Sequence, residues 1–132
     1  MSALDRPVVK PRPVYLDLVR IWLPLPGIVS ILHRVSGAVL FLFGIPLLLF
    51  AVHRSLASPE SHANLMAVLG HPLVKLVSIG LLWAYLHHFC AGIRYLLIDL
   101  HIGDDLAPAR RSSVVVMVVS IALTLIIGAR LW

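Results

Sequence analysis

Three stretches of this chain are apolar over lengths that a lipid bilayer explains and a water-soluble core does not. They lie at about residues 28–53, 74–98 and 112–130, and the first contains VSGAVLFLFGIPLLLFAV (35–52) without a single charge. Crossing the hydrocarbon takes about 20 residues of helix, slightly fewer where flanking cations reach back to the interface. Backbone in lipid must satisfy its own hydrogen bonds, so each stretch is expected as a helix and not a strand. The chain is 60% hydrophobic and 13% charged, a balance that a soluble domain of 132 residues would carry as exposed apolar surface. The expected architecture is an all-α membrane protein, one domain over 1–132, with three transmembrane helices after an N-terminal arm (1–27). Pro46 is expected to kink the first span. The segment from about Ala57 to His71, with SPESHAN, reads as an extramembrane loop.

The arm MSALDRPVVKPRPVYLDLVRIWLPLPG has prolines and charges where a signal peptide needs an uninterrupted apolar core and a small-residue cleavage site. It is expected to stay on the chain, at the membrane surface. Arg6, Lys10, Arg12 and Arg20, with Arg110 and Arg111 between the later spans, make six basic residues on one side. Arg54, Lys75 and Arg130 make three on the other. Basic residues near spans accumulate on the cytoplasmic side, so the N-terminus is expected inside and the C-terminus outside. This asymmetry accounts for the formal net charge of +5 without a nucleic-acid partner. The single cysteine, Cys90, excludes an internal disulfide or a cysteine-rich metal cluster and reads as a packing residue.

Two groups of polar residues interrupt the apolar pattern. In SILHRVSG (30–37), Ser30, His33, Arg34 and Gly37 fall at i, i+3, i+4 and i+7, one face of a helix. A cation at the centre of a span costs about 2.5–3.5 kcal/mol on insertion scales, which favours a partner or cavity over bare lipid. Arg34 lies near the span's end, where snorkelling lowers that cost and an interfacial anchor is the plainer reading. An anchor, however, requires neither a hydroxyl nor an imidazole. Together they suit an anionic or carbonyl-bearing ligand.

The second group is YLHHFCAGIRYLLID (85–99), with two histidines in the middle of a span. His88, Gly92, Tyr95 and Asp99 share one face, and His87 and Arg94 another. A lone intramembrane histidine usually makes an interhelical hydrogen bond. A histidine pair with glycine one turn on, basic groups nearby and a second His-Arg pair on another span points instead to haem. Neutral imidazole ligates the iron, a small residue clears the macrocycle and basic groups meet the propionates. Zinc fits less well, since no three-ligand set of cysteine, histidine and carboxylate is evident.

RPVYLDL (12–18), SxxHRxSG (30–37) and HxxxGIRxxxxD (88–99), in this order and spacing, resemble the cytochrome b large anchor subunit of succinate dehydrogenase, from about Arg12 to the C-terminus. The resemblance implies a subunit that packs with a small hydrophobic anchor subunit into a helical bundle and holds an iron–sulfur subunit and a flavoprotein subunit. Electrons from succinate would reach ubiquinone through it. It implies Ser30 and Arg34 at the quinone, His33 and Arg34 at the propionates of haem b, and His88, not His87, as axial iron ligand. The partner anchor supplies the second ligand. The implied location is a bacterial cytoplasmic membrane. The chain departs from the family's frequent GIRH by carrying Tyr95, and His87 reads as a packing residue ahead of the alternative, a propionate-side group. Two rival classes share many of these parts: a fumarate reductase or other quinone-linked cytochrome, and a non-redox three-helix assembly protein whose polar faces pair spans.

Overall fold

The computed structural model describes residues 20–131, and every described element is helical. Helix α1 (Leu25–Val39) continues through a π-turn (Leu40–Gly44) into α2 (Ile45–Ala57). Helix α3 (Pro59–Gly70) follows, then α4 (Pro72–Asp99) and α5 (Leu106–Leu131). Three stretches are long and apolar enough to cross a membrane: Leu25–Ala57, Pro72–Asp99 and Leu106–Leu131. The all-helical, three-span architecture read from hydropathy is the one observed. The arm up to residue 19, including RPVYLDL, lies outside the described residues.

Prolines start the first two spans. Pro24 caps α1 in extended conformation, with its carbonyl accepting from Gly27 N at 2.8 Å and Ile28 N at 3.2 Å. Pro26 costs nothing there, because the first helical N–H groups have no intrahelical acceptor. His71 caps α4 in the same way, its Nδ1 accepting from Leu73 N at 3.3 Å before Pro72.

The disturbance expected at Pro46 takes the form of a π-turn one step upstream. Proline offers no N–H to the carbonyl four residues before it and its ring crowds that carbonyl. The helix widens over Leu40–Gly44, with Ile45 N donating to Leu40 O, and Pro46 then falls at the start of α2. Past this point the first span leaves the bundle. Among the described residues, α2 packs only against the π-turn and α3, whereas α1 packs against both α4 and α5.

The segment expected as a loop after Ala57 is the helix α3. Ser58 is its N-cap, accepting from Ser61 N at 3.0 Å, Pro59 opens the first turn, and Glu60 complements the helix dipole. Ser61 ties α3 back to α2 by donating to Arg54 O at 2.7 Å. The residues read as turn formers are here helix-start residues.

The core is small. Val29, Ala91 and Val116 meet where α1, α4 and α5 converge, with Cys90, Tyr95 and Met117 packed around them. On α5 the buried stripe is Ser113, Val116, Ser120, Thr124 and Gly128, small residues that let α4 approach closely. Their hydroxyls bond to their own helix, as in Thr124 Oγ1 to Ser120 O at 2.7 Å. Large apolar side chains such as Phe41, Leu48 and Leu125 stay exposed, a surface suited to lipid or to another apolar helix.

Candidate functional site

Helices α1 and α4 bring His33 and His88 into contact, their rings stacked with centroids 4.2 Å apart and planes 11° from parallel. His88 Nδ1 lies 3.0 Å from the backbone oxygen of His33. A carbonyl only accepts, so Nδ1 carries the proton and the lone pair of the neutral ring is on Nε2. Ser36 Oγ also donates to the His33 carbonyl, at 3.0 Å, and lies 3.3 Å from His88 Nδ1. Gly37 makes room for the ring. A Cβ built there would sit 2.8 Å from His88 Cε1 and 3.2 Å from Nδ1.

The face His88–Gly92–Tyr95 of α4 gathers around His33. The Tyr95 ring is 5.1 Å from that of His33, and a Cβ on Gly92 would lie 3.8 Å from His33 Nε2. That distance is ordinary van der Waals contact, so in this chain the tight clearance belongs to Gly37 and not to Gly92. Asp99, the last residue of α4, is exposed. The Tyr95 hydroxyl is buried without a hydrogen-bond partner among the described residues.

The two adjacent histidines differ in setting. His87 is fully enclosed, 0% exposed, against Trp83 at 5.3 Å between ring centroids. Among the described residues neither of its ring nitrogens has a hydrogen-bond partner. His88, in contrast, is partly exposed. Of the pair, only His88 is reachable by a group from outside the chain.

Ser30 is half-buried and Arg34 is exposed one turn further along α1. Neither side chain makes a hydrogen bond or ion pair among the described residues. Arg94 behaves oppositely. It is 6% exposed and donates from Nε to Ser112 Oγ at 2.9 Å and from an Nη to Ala109 O at 3.4 Å. Its guanidinium also lies 5.2 Å from the centre of the Tyr95 ring. Arg94 therefore clamps the end of α4 to the start of α5. Sequence reasoning placed it on one face with His87, among the basic groups near the histidines. Its tertiary partners, 15 and 18 positions further along the chain, are what define its role.

A shallow cleft of about 640 Å³, lined by residues 22–25 with Arg110, Arg111 and Val114, opens beside the start of α1 and contains neither Ser30 nor Arg34. Among the described residues, no cluster of three or more histidine, cysteine, aspartate or glutamate side chains is placed to hold a metal ion.

Three apolar spans, with an anchored and partly exposed histidine where two of them meet, define a helical membrane protein. Residues 9–127 match the family described as succinate dehydrogenase/fumarate reductase transmembrane subunit. The succinate dehydrogenase cytochrome b556 subunit of Coxiella burnetii is 41% identical over 122 residues, covering 92% of this chain and 97% of that one. The Paracoccus denitrificans subunit of the same name is 31% identical over 104 residues, 79% of each chain. The succinate dehydrogenase 2 membrane subunit SdhC of Mycobacterium tuberculosis is 39% identical over 75 residues, 56% of this chain and 54% of that one. The chain belongs to the succinate dehydrogenase/fumarate reductase transmembrane subunit family. The resemblance carried by SxxHRxSG and HxxxGIRxxxxD is borne out.

Proposed function

We propose that this chain is the haem b- and quinone-binding anchor of a succinate dehydrogenase in a bacterial cytoplasmic membrane. It packs with a smaller hydrophobic anchor subunit, holds an iron–sulfur and a flavoprotein subunit at the inner face, and passes electrons from the iron–sulfur subunit to ubiquinone. The relatives named above are succinate dehydrogenase subunits, which favours succinate oxidation over the fumarate-reducing alternative.

The observation that carries this reading is the state of His88. Its Nδ1 proton is committed to the His33 carbonyl, which leaves an Nε2 lone pair on a partly exposed ring. Such an imidazole is a metal ligand already oriented by its other nitrogen. A haem shared between two subunits must be reached from the chain's surface, which supports His88 and not the enclosed His87 as the axial ligand. The haem, when bound, supplies a one-electron redox centre within the membrane. His33 and Arg34 are the residues for its propionates: His33 stacks on the ligand itself, and Arg34 offers an exposed guanidinium with no ion-pair partner among the described residues.

At the quinone, Ser30 donates its hydroxyl to a carbonyl oxygen, and Arg34 stabilises the negative charge that develops there as electrons arrive. Reduction to the quinol consumes two electrons and two protons. Fixed donors aimed at the growing charge lower the barrier because they need no reorganisation. Arg110 and Arg111 at the start of α5, with the basic residues of the arm, favour this end on the cytoplasmic side, where the electron donor docks.

Isolation of the intact complex through a tag on this chain tests the reading. A flavoprotein and an iron–sulfur protein should co-purify, and the reduced-minus-oxidised spectrum should contain a b-type haem band. Absence of either overturns it.

A further inference from the structure

We propose that Ser36 and Gly37 are the positioning residues of the axial histidine. Ser36 supplies a second acceptor that tunes His88 as a ligand, and Gly37 supplies the space its ring needs. The inference rests on the assignment of His88 to the haem iron and extends it to two residues of α1 that contact the His88 ring.

The hydrogen-bond directions settle what Ser36 does. It is 4% exposed, and its one hydroxyl proton goes to the His33 carbonyl at 3.0 Å. Toward His88 Nδ1, 3.3 Å away, Ser36 Oγ therefore presents a lone pair. The Nδ1–H is shared between two acceptors, the His33 carbonyl at 3.0 Å and this hydroxyl. Both acceptors are on α1, whereas the ring comes from α4, so the ring's direction is fixed across the helix interface. The ring also lies over Gly37, where a Cβ would meet three of its atoms at 2.8, 3.2 and 3.7 Å. The closest of these distances is one that real Cβ atoms do not show, so a side chain there forces the ring or the spacing of α1 and α4 to shift.

The chemical consequence follows from the tautomer. Acceptors at Nδ1–H draw the proton toward themselves and make Nε2 a stronger donor, the general effect of an outer partner on a ligating histidine. A stronger donor favours the oxidised iron and lowers the reduction potential. Removing one acceptor should raise the potential while leaving the ligand in place, because the backbone carbonyl remains. Adding a methyl at position 37 should instead disturb ligation itself.

The test compares Ser36→Ala, Gly37→Ala and Ser120→Ala in the purified complex. Ser120 is the control, equally buried and bonded to its own helix at Met117 O (3.1 Å), but far from His88 in sequence and on another helix. Ser36→Ala should keep haem at wild-type stoichiometry with a midpoint potential raised above wild type and above the control. Gly37→Ala should lose haem or show altered low-spin signals by electron paramagnetic resonance. The proposal is overturned if Ser36→Ala titrates at the control's potential, or if Gly37→Ala retains full haem with a wild-type resonance spectrum. A wild-type complex without any b-type band would instead bring down the haem assignment on which the proposal stands.

Discussion

His33 meets His88 twice, with its ring stacked at 4.2 Å and with its backbone oxygen accepting from Nδ1 at 3.0 Å. Only the first of these contacts depends on what side chain occupies position 33. The bond that fixes the tautomer of His88 is made by the main chain of α1, so it survives any substitution that keeps the helix. The two neighbouring histidines of α4 differ by the 100° that separates successive helical residues, and that rotation places one at an open contact and the other inside.

Ligation should therefore separate the two. His88→Ala is expected to abolish or severely alter the b-type band, whereas His87→Ala leaves it largely intact. His33→Ala should retain axial ligation through the backbone bond. An optical spectrum of each purified variant checks this, and the reverse pattern for positions 87 and 88 would move the ligand by one residue.

Quinone chemistry should fail selectively at Ser30 and Arg34. Loss of a hydrogen bond to a charged state costs about 1.5–3 kcal/mol, on the order of a ten- to hundred-fold rate loss if it acts in the transition state. Ser30→Ala and Arg34→Ala should slow quinone reduction and spare succinate oxidation by an acceptor that bypasses quinone. Arg34 should be the more sensitive position, since it serves both the quinone and a propionate. Equal loss of both activities would indicate failed assembly instead.

Arg94 should matter to stability more than to electron transfer. Its bonds to Ser112 and Ala109 hold α4 to α5. Arg94→Ala should destabilise the detergent-solubilised complex by about 1–3 kcal/mol, the usual range for a lost buried hydrogen-bonding partner. Arg94→Lys should not restore it, because a lysine has no Nε–H at the position that reaches Ser112. Thermal unfolding of both variants measures this, and wild-type melting of Arg94→Ala would remove the clamp.

Topology can be checked without reference to any relative. A reporter active only outside should work after Trp132 and in the region of Ser61, and fail after Ala107. An impermeant thiol reagent applied from outside should label His62→Cys, on the exposed flank of α3, and miss Arg111→Cys. The reverse pattern would turn the chain over and place Ser30 and Arg34 away from a cytoplasmic electron donor.

Hydropathy alone determined the three spans, because in lipid the backbone has no alternative to the helix and about 20 apolar residues suffice. The motifs SILHRVSG and HHFCAGIR also made the family legible, since polar groups inside a span are costly enough that their spacing carries meaning. Helical periodicity grouped His88, Gly92 and Tyr95, and all three do surround His33. What periodicity could not supply was anything requiring two helices at once. That Gly37 and not Gly92 gives the critical clearance, that Ser36 faces His88, and that Arg94 bonds to α5 are decided by how α1, α4 and α5 lie against one another. The π-turn before Pro46 and the helix after Ser58 were hidden for a different reason. Proline, serine and glutamate signal a break or a helix start with the same letters, and only the hydrogen bonds made by the folded chain distinguish the two.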